Sequence, residues 1–68
     1  SSVWLSRFVG REAVLLVEGE GRKGVEYLTG KNEENIIVEF KGSKEFIGKF
    51  IRVRITKAMN WALEGELV

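Results

Sequence analysis

Apolar and polar residues alternate most clearly in the stretch GKFIRVRITKA, residues 48–58. Ile51, Val53 and Ile55 share one side and Arg52, Arg54 and Thr56 the other, the period of a strand with one buried face. EAVLLVE, residues 12–18, is a continuous apolar run bounded by acids, which predicts a short strand buried on both faces. VEYLT (25–29) alternates weakly. IIVEF (36–40) puts Ile36, Val38 and Phe40 on one face, and WALEGELV (61–68) sets Leu63, Gly65 and Leu67 opposite Glu64 and Glu66.

Between these runs lie the loops GEGRKG (19–24) and GKNEEN (30–35). KGSKEFI (41–47) has room for one helical turn capped by Ser43, and AMN reverses the chain before the last strand. Residues 3–9, VWLSRFV, suit the last turns of a helix that Gly10 ends. Five short strands, with eight glycines in the chain and no room for parallel crossovers, predict an all-β fold. We expect a small five-stranded antiparallel barrel behind a short N-terminal helical segment, because closure removes exposed strand edges.

Composition narrows the chemistry. At 68 residues with 44% hydrophobic and 31% charged, the chain fits one small globular domain with no repeat, linker or low-complexity segment. It has no Cys and no His, which rules out disulfides, zinc sites of the usual kind, thiolate nucleophiles and Ser-His-Asp arrangements. No apolar run approaches the roughly 20 residues of a membrane span, and no signal-peptide pattern opens the chain. The start Ser1-Ser2-Val3, without Met, reads as a piece of something longer, with residues 1–9 as the end of a linker or helix from a preceding domain and 10–68 as the module.

The net charge of +1 conceals an asymmetry. Residues 41–57 hold Lys41, Lys44, Lys49, Arg52, Arg54 and Lys57 against Glu45 alone, whereas the flanking segments are acidic. A local basic patch is what a polyanion binds, although Lys and Arg also serve simply to keep a strand soluble and blunt its edge.

Other motifs are weaker. Gly19, Gly21 and Gly24 match G-x-G-x-x-G, but the β-branched, aromatic VEYLT follows where a dinucleotide site needs a helix N-terminus, so these glycines serve turns. Arg22 and Lys23 stand at that loop's tip, where cations reach a partner. Glu64 and Glu66 imitate a carboxylate pair, but acids on an exposed strand are ordinarily solvated, and no active site is expected. Lys31, Asn32 and Asn35 offer one cation and two amides to phosphate or base edges, or else are ordinary turn residues. For Trp61 two readings stand, stacking on an unpaired base or plugging one end of the barrel. Trp4 belongs to the apolar helical segment and is expected to pack.

The ordered set VGRE, LVEG, RKG, LTGK with EN, V-x-F-x-G, IGKF with V-x-I-T-x-A, and the closing L-x-GEL resembles the TRAM domain over roughly residues 8–68. More specifically, it looks like the C-terminal TRAM domain of MiaB-type tRNA methylthiotransferases. Gly30-Lys31-Asn32 stands where that family usually has Gly-Arg-Thr, which keeps the charge but not a bidentate guanidinium. The resemblance implies an OB-like barrel that binds tRNA within a cytoplasmic radical S-adenosylmethionine enzyme carrying two 4Fe-4S clusters. Such an enzyme methylthiolates the modified adenosine beside the anticodon. Cluster ligation needs cysteines, so this chain would hold no cofactor and would bind tRNA while catalytic domains of the same parent react.

Read together, the chain is expected to hold the anticodon region of tRNA through phosphates. Lys49, Arg52 and Arg54 form the electrostatic centre, Arg22, Lys23, Lys31 and Lys44 stand at loop tips, and Asn32 and Asn35 make polar contacts. Two alternatives remain. One is a TRAM domain of another tRNA-modifying enzyme, such as a uracil methyltransferase, or a stand-alone RNA-binding module. The other is a barrel that mainly docks on its own catalytic domain through Trp4, Leu5 and Phe8.

Overall fold

A computed structural model describes residues 3–68; Ser1 and Ser2, part of the segment expected as a linker, lie outside the described residues. The elements are α1 (Val3–Ser6), β1 (Glu12–Glu20), β2 (Tyr27–Lys31), β3 (Ile37–Lys41), a 3-10 turn (Lys44–Phe46), β4 (Phe50–Ala58) and β5 (Leu63–Leu67). The strands close into one barrel in the order β1-β2-β3-β5-β4.

Four neighbouring pairs are antiparallel, but β3 and β5 run parallel, with Val38 opposite Leu63 and Phe40 opposite Gly65. The expected all-antiparallel barrel is therefore corrected to a mixed one, and the reason is geometric. Strand directions cannot alternate all the way round a ring of five, so at least one adjacent pair must be parallel.

The long strands β1 and β4 each serve two neighbours. β1 pairs with β4 through Glu12 to Leu16 and with β2 from Leu16 onward, its register shifting between Val17 and Gly19. β4 shifts register against β5 between Ile55 and Lys57. Such irregularities bend a strand and increase its twist, which a small closed sheet requires.

Alternation then fills the interior. Leu15 and Val17 of β1, Leu28 of β2, Val38 and Phe40 of β3, Val53 and Ile55 of β4, and Leu63 of β5 form one buried cluster with Leu5 and Ile36. The expectation that residues 12–18 are buried on both faces fails, because Val14 and Leu16 point outward and are exposed. A single-layer barrel has one inside, and no described element covers its outer face at β1.

Boundaries differ in understandable ways. Gly30 and Lys31, expected in a loop, belong to β2. A Cβ on Gly30 would lie 2.6 Å from the Leu16 carbonyl oxygen, so the glycine is there for close strand approach. Val25 drops out of the strand and is exposed. The helix stops at Ser6, earlier than the expected residue 9. Residues 7–10 turn instead, Gly10 adopts φ +90, and its N–H donates to the Ile55 carbonyl at 2.8 Å, joining the β4 ladder before β1 begins. The helical turn expected within 41–47 is present, with the Ser43 hydroxyl accepting from the Glu45 N–H at 3.2 Å.

Candidate nucleic-acid interface

Because Val53 and Ile55 face the core, Arg52 and Arg54 face out from β4 and are exposed. Across the β1–β4 ladder, Arg54 stands opposite Glu12, Arg52 opposite Val14 and Phe50 opposite Leu16. Glu12 takes both guanidiniums, with Arg52 Nη1 3.3 Å from Oε1 and Arg54 Nη2 3.0 Å from Oε2. The two arginines thus share one carboxylate and keep a net charge of +1 between the three side chains. Lys49, just before β4, and Lys57, near the end of that strand, have no ion-pair partner among the described residues. The same face is not wholly polar: Phe50 is 72% exposed beside Leu16 and Val14.

A second cluster forms where the β1–β2 loop meets the β4–β5 loop. Glu39 and Glu64 stand side by side on the outer face of β3 and β5. Glu39 is only 4% exposed and accepts from the Arg22 backbone N–H at 3.2 Å. Glu64 takes the Lys23 ammonium, which also lies 5.2 Å from the centre of the Tyr27 ring. That hydrogen bond holds the Lys23 ammonium above its ordinary value of 10.5. Two carboxylates therefore pin the loop, and the Arg22 guanidinium comes to rest 5.1 Å from the centre of the Trp61 ring. Trp61 is half exposed, so it does not simply plug the barrel.

The remaining expected residues are dispersed. Asn32 serves the turn: its Oδ1 accepts from the N–H groups of Glu34 at 3.0 Å and Ile36 at 2.9 Å. It also lines a depression of about 290 Å³ with Phe8, Arg11 and Arg52. Asn35, at φ 67, lines a different depression together with Trp61. Lys31 is half-buried within β2 rather than at a loop tip. Lys44 begins the 3-10 turn and pairs with Glu20 at 3.0 Å. Trp4 is half exposed and meets Phe8 edge-on at 5.7 Å rather than packing inside.

Sequence reading missed what the carboxylates do. Glu12, Glu39 and Glu64 decide which cations are engaged. Glu64, expected as a solvated acid on the last strand, is largely covered and holds Lys23, and Glu39, a lone acid within IIVEF, carried a signal that could have found it. No cluster of His, Cys, Asp or Glu able to hold a metal ion occurs among the described residues, and none of their helices is long and apolar enough to cross a membrane.

Comparison with known proteins agrees with the module expected from the residues. The tRNA-2-methylthio-N(6)-dimethylallyladenosine synthase of Bacillus subtilis (strain 168) is 42% identical over 64 residues, covering 94% of this chain and 13% of that protein. The synthase of the same name from Haemophilus influenzae (strain PittEE) is 48% identical over 62 residues, covering 91% of this chain and 13% of that protein. That of Oceanobacillus iheyensis is 41% identical over 68 residues, again 13% of the relative's length. The chain therefore spans about one-eighth of these relatives. The family described as the TRAM domain matches residues 6–68, and the chain belongs to that family.

Proposed function

We propose that this chain is the tRNA-holding domain of a cytoplasmic radical S-adenosylmethionine methylthiotransferase, with residues 10–68 as the module and residues 1–9 leading into it from a neighbouring domain. It grips the phosphates near the anticodon while catalytic domains of the same parent modify the adenosine beside it. The relatives at 41–48% identity, named for that modification, support the choice of parent. The observation that supports the RNA-binding reading is the outer face of β4, where Arg52, Arg54 and Lys57 follow Lys49, the residue before the strand, with no acid in the strand.

The strand order β1-β2-β3-β5-β4 favours an OB-like description of the barrel. In OB folds the loops between strands one and two and between four and five bind oligonucleotides, and here those loops carry Arg22 and Trp61. The 4Fe-4S clusters and S-adenosylmethionine of such a parent do not fit this chain, which lacks the thiolate donors that cluster ligation requires. No chemical step is assigned to these residues, and the domain is read as non-catalytic.

Titration of the isotope-labelled chain with an anticodon stem-loop tests the reading. Amide shifts concentrated at Arg22, Lys31, Lys49, Arg52 and Arg54, with affinity falling steeply as salt rises, are expected. Absence of binding at low salt would end it. A second reading has its own support: exposed Phe50, Leu16 and Val14 make an apolar stripe on the same face, suited to docking on a catalytic domain. Shifts confined to that stripe on adding the parent's other domains, with none on adding RNA, would favour it.

A further inference from the structure

One cavity is left unused by phosphate binding. About 340 Å³ in volume, it lies between the N-terminal helix and the β4–β5 loop, with buried Leu5 and Ile36 at its base and Trp4, Trp61, Asn35 and Asn60 around them. Both indoles are half exposed. The side-chain amides of Asn35 and Asn60 have no hydrogen-bond partner among the described residues, although the Asn35 backbone is anchored by its N–H donating to the Asn32 carbonyl at 2.9 Å. Arg22 lies over the Trp61 ring at 5.1 Å and is not among the residues that line the cavity.

This combination selects a flat ligand with an aromatic face and a rim of mixed donors and acceptors. An inorganic anion would leave the indoles unused, and an acyl chain would leave two free amides facing hydrocarbon. A nucleobase uses both, stacking on an aromatic ring while its edge meets amides. We propose that the cavity takes one unpaired nucleobase of the bound RNA, stacked on Trp61 with its edge toward Asn35 and Asn60. Arg22, beside the same indole, then neutralises an adjoining phosphate. The inference rests on the RNA-binding reading and adds a base contact to it. The clamp of Glu39 and Glu64 on the Arg22–Lys23 loop holds the guanidinium against the ring before RNA arrives, which limits the ordering cost of binding.

The test uses a Trp4→Phe variant, in which Trp61 is the sole tryptophan. It is titrated with a hexa-adenylate RNA and with an abasic hexamer of the same backbone. The hexa-adenylate should quench Trp61 emission and bind about fivefold or more tightly than the abasic strand, which should not quench. Trp61→Leu should bring hexa-adenylate affinity down to the abasic level, whereas Trp61→Phe retains most of it. If Trp61→Leu perturbs the circular dichroism spectrum, the Asn35→Ala/Asn60→Ala pair takes its place and should narrow the gap between the two probes. Equal binding of both probes, without quenching, overturns the base pocket and leaves phosphate binding intact. Failure of the wild-type chain to bind either hexamer overturns the base pocket, and failure to bind the anticodon stem-loop as well overturns both readings.

Discussion

Replacing Glu12 by Gln should strengthen RNA binding while weakening the fold slightly. The carboxylate bridges Arg52 at 3.3 Å and Arg54 at 3.0 Å, with the guanidinium side chains 60% and 50% exposed and Glu12 37% exposed. Exposed ion pairs of this kind contribute about 0.2–1 kcal/mol each, so the two together are worth about 0.4–2 kcal/mol. A phosphate that recruits both arginines must displace or share Glu12 and lose that amount. The Gln variant removes the competitor without changing side-chain length, and affinity should rise by about 2- to 30-fold. Freed guanidiniums also release more counterions on binding, so the plot of log affinity against log salt should steepen by about 0.7–0.9 for each additional phosphate contact. Stability should fall by no more than about 2 kcal/mol, visible as a lower urea midpoint with an unchanged slope.

Fluorescence anisotropy with a labelled anticodon stem-loop reads both effects. Glu45→Gln is the control for net charge, because Glu45 makes no ion pair among the described residues. It should shift affinity less than Glu12→Gln does. In the Arg52→Gln/Arg54→Gln background the benefit of removing Glu12 should vanish, since the coupling runs through those two side chains. A folded Glu12→Gln variant with unchanged or weaker affinity would refute the argument. So would an equal gain in the background lacking both arginines.

Three further outcomes are expected. Gly30→Ala and Gly65→Ala should each destabilise the barrel by about 1–3 kcal/mol in urea denaturation, because the new Cβ would sit 2.6 Å from the Leu16 carbonyl oxygen or 2.8 Å from that of Arg54; a neutral result would mean the strands separate more easily than their register implies. The Lys23 ammonium is held above 10.5 by Glu64, so its contribution is complete below about pH 10.5 and is lost as pH rises through the raised value; the stability lead of wild type over Lys23→Met should disappear there, and a lead that grows with pH would contradict the pairing. Glu39→Ala removes the acceptor of the Arg22 N–H and should speed amide exchange and protease cleavage within residues 21–26, whereas unchanged protection would show that Lys23 and Glu64 hold the loop unaided.

The barrel was legible where one physical rule dominates. Period-two alternation marks Val53 and Ile55 as core residues and Arg52 and Arg54 as outward ones, and the structure places them so. The continuous run around Val14 and Leu16 misled, because continuity signals a two-sided burial that an uncovered barrel cannot supply. Gly30 misled for the opposite reason. A glycine beside Lys-Asn reads as a turn, while here it answers a contact with Leu16 that exists only once β1 and β2 are paired. The parallel β3–β5 pair follows from counting strands and assuming closure, a step that a local window of sequence does not contain.

The site was legible as charge and illegible as pairing. Six cations between residues 41 and 57 are visible in any reading of the chain, but the acids that engage the site's cations lie far away in sequence. Glu12 meets Arg52 and Arg54 across 40 and 42 positions, and Glu64 meets Lys23 across 41. Closing the barrel brings β1 beside β4 and β5 beside β3, so closure itself sorts the cations into those held by an acidic neighbour and those without one among the described residues. Lys23 belongs to the first group, its ammonium held by Glu64. Lys49 and Lys57 belong to the second, while Arg52 and Arg54 stand between the two, held by a single carboxylate that a phosphate must displace or share.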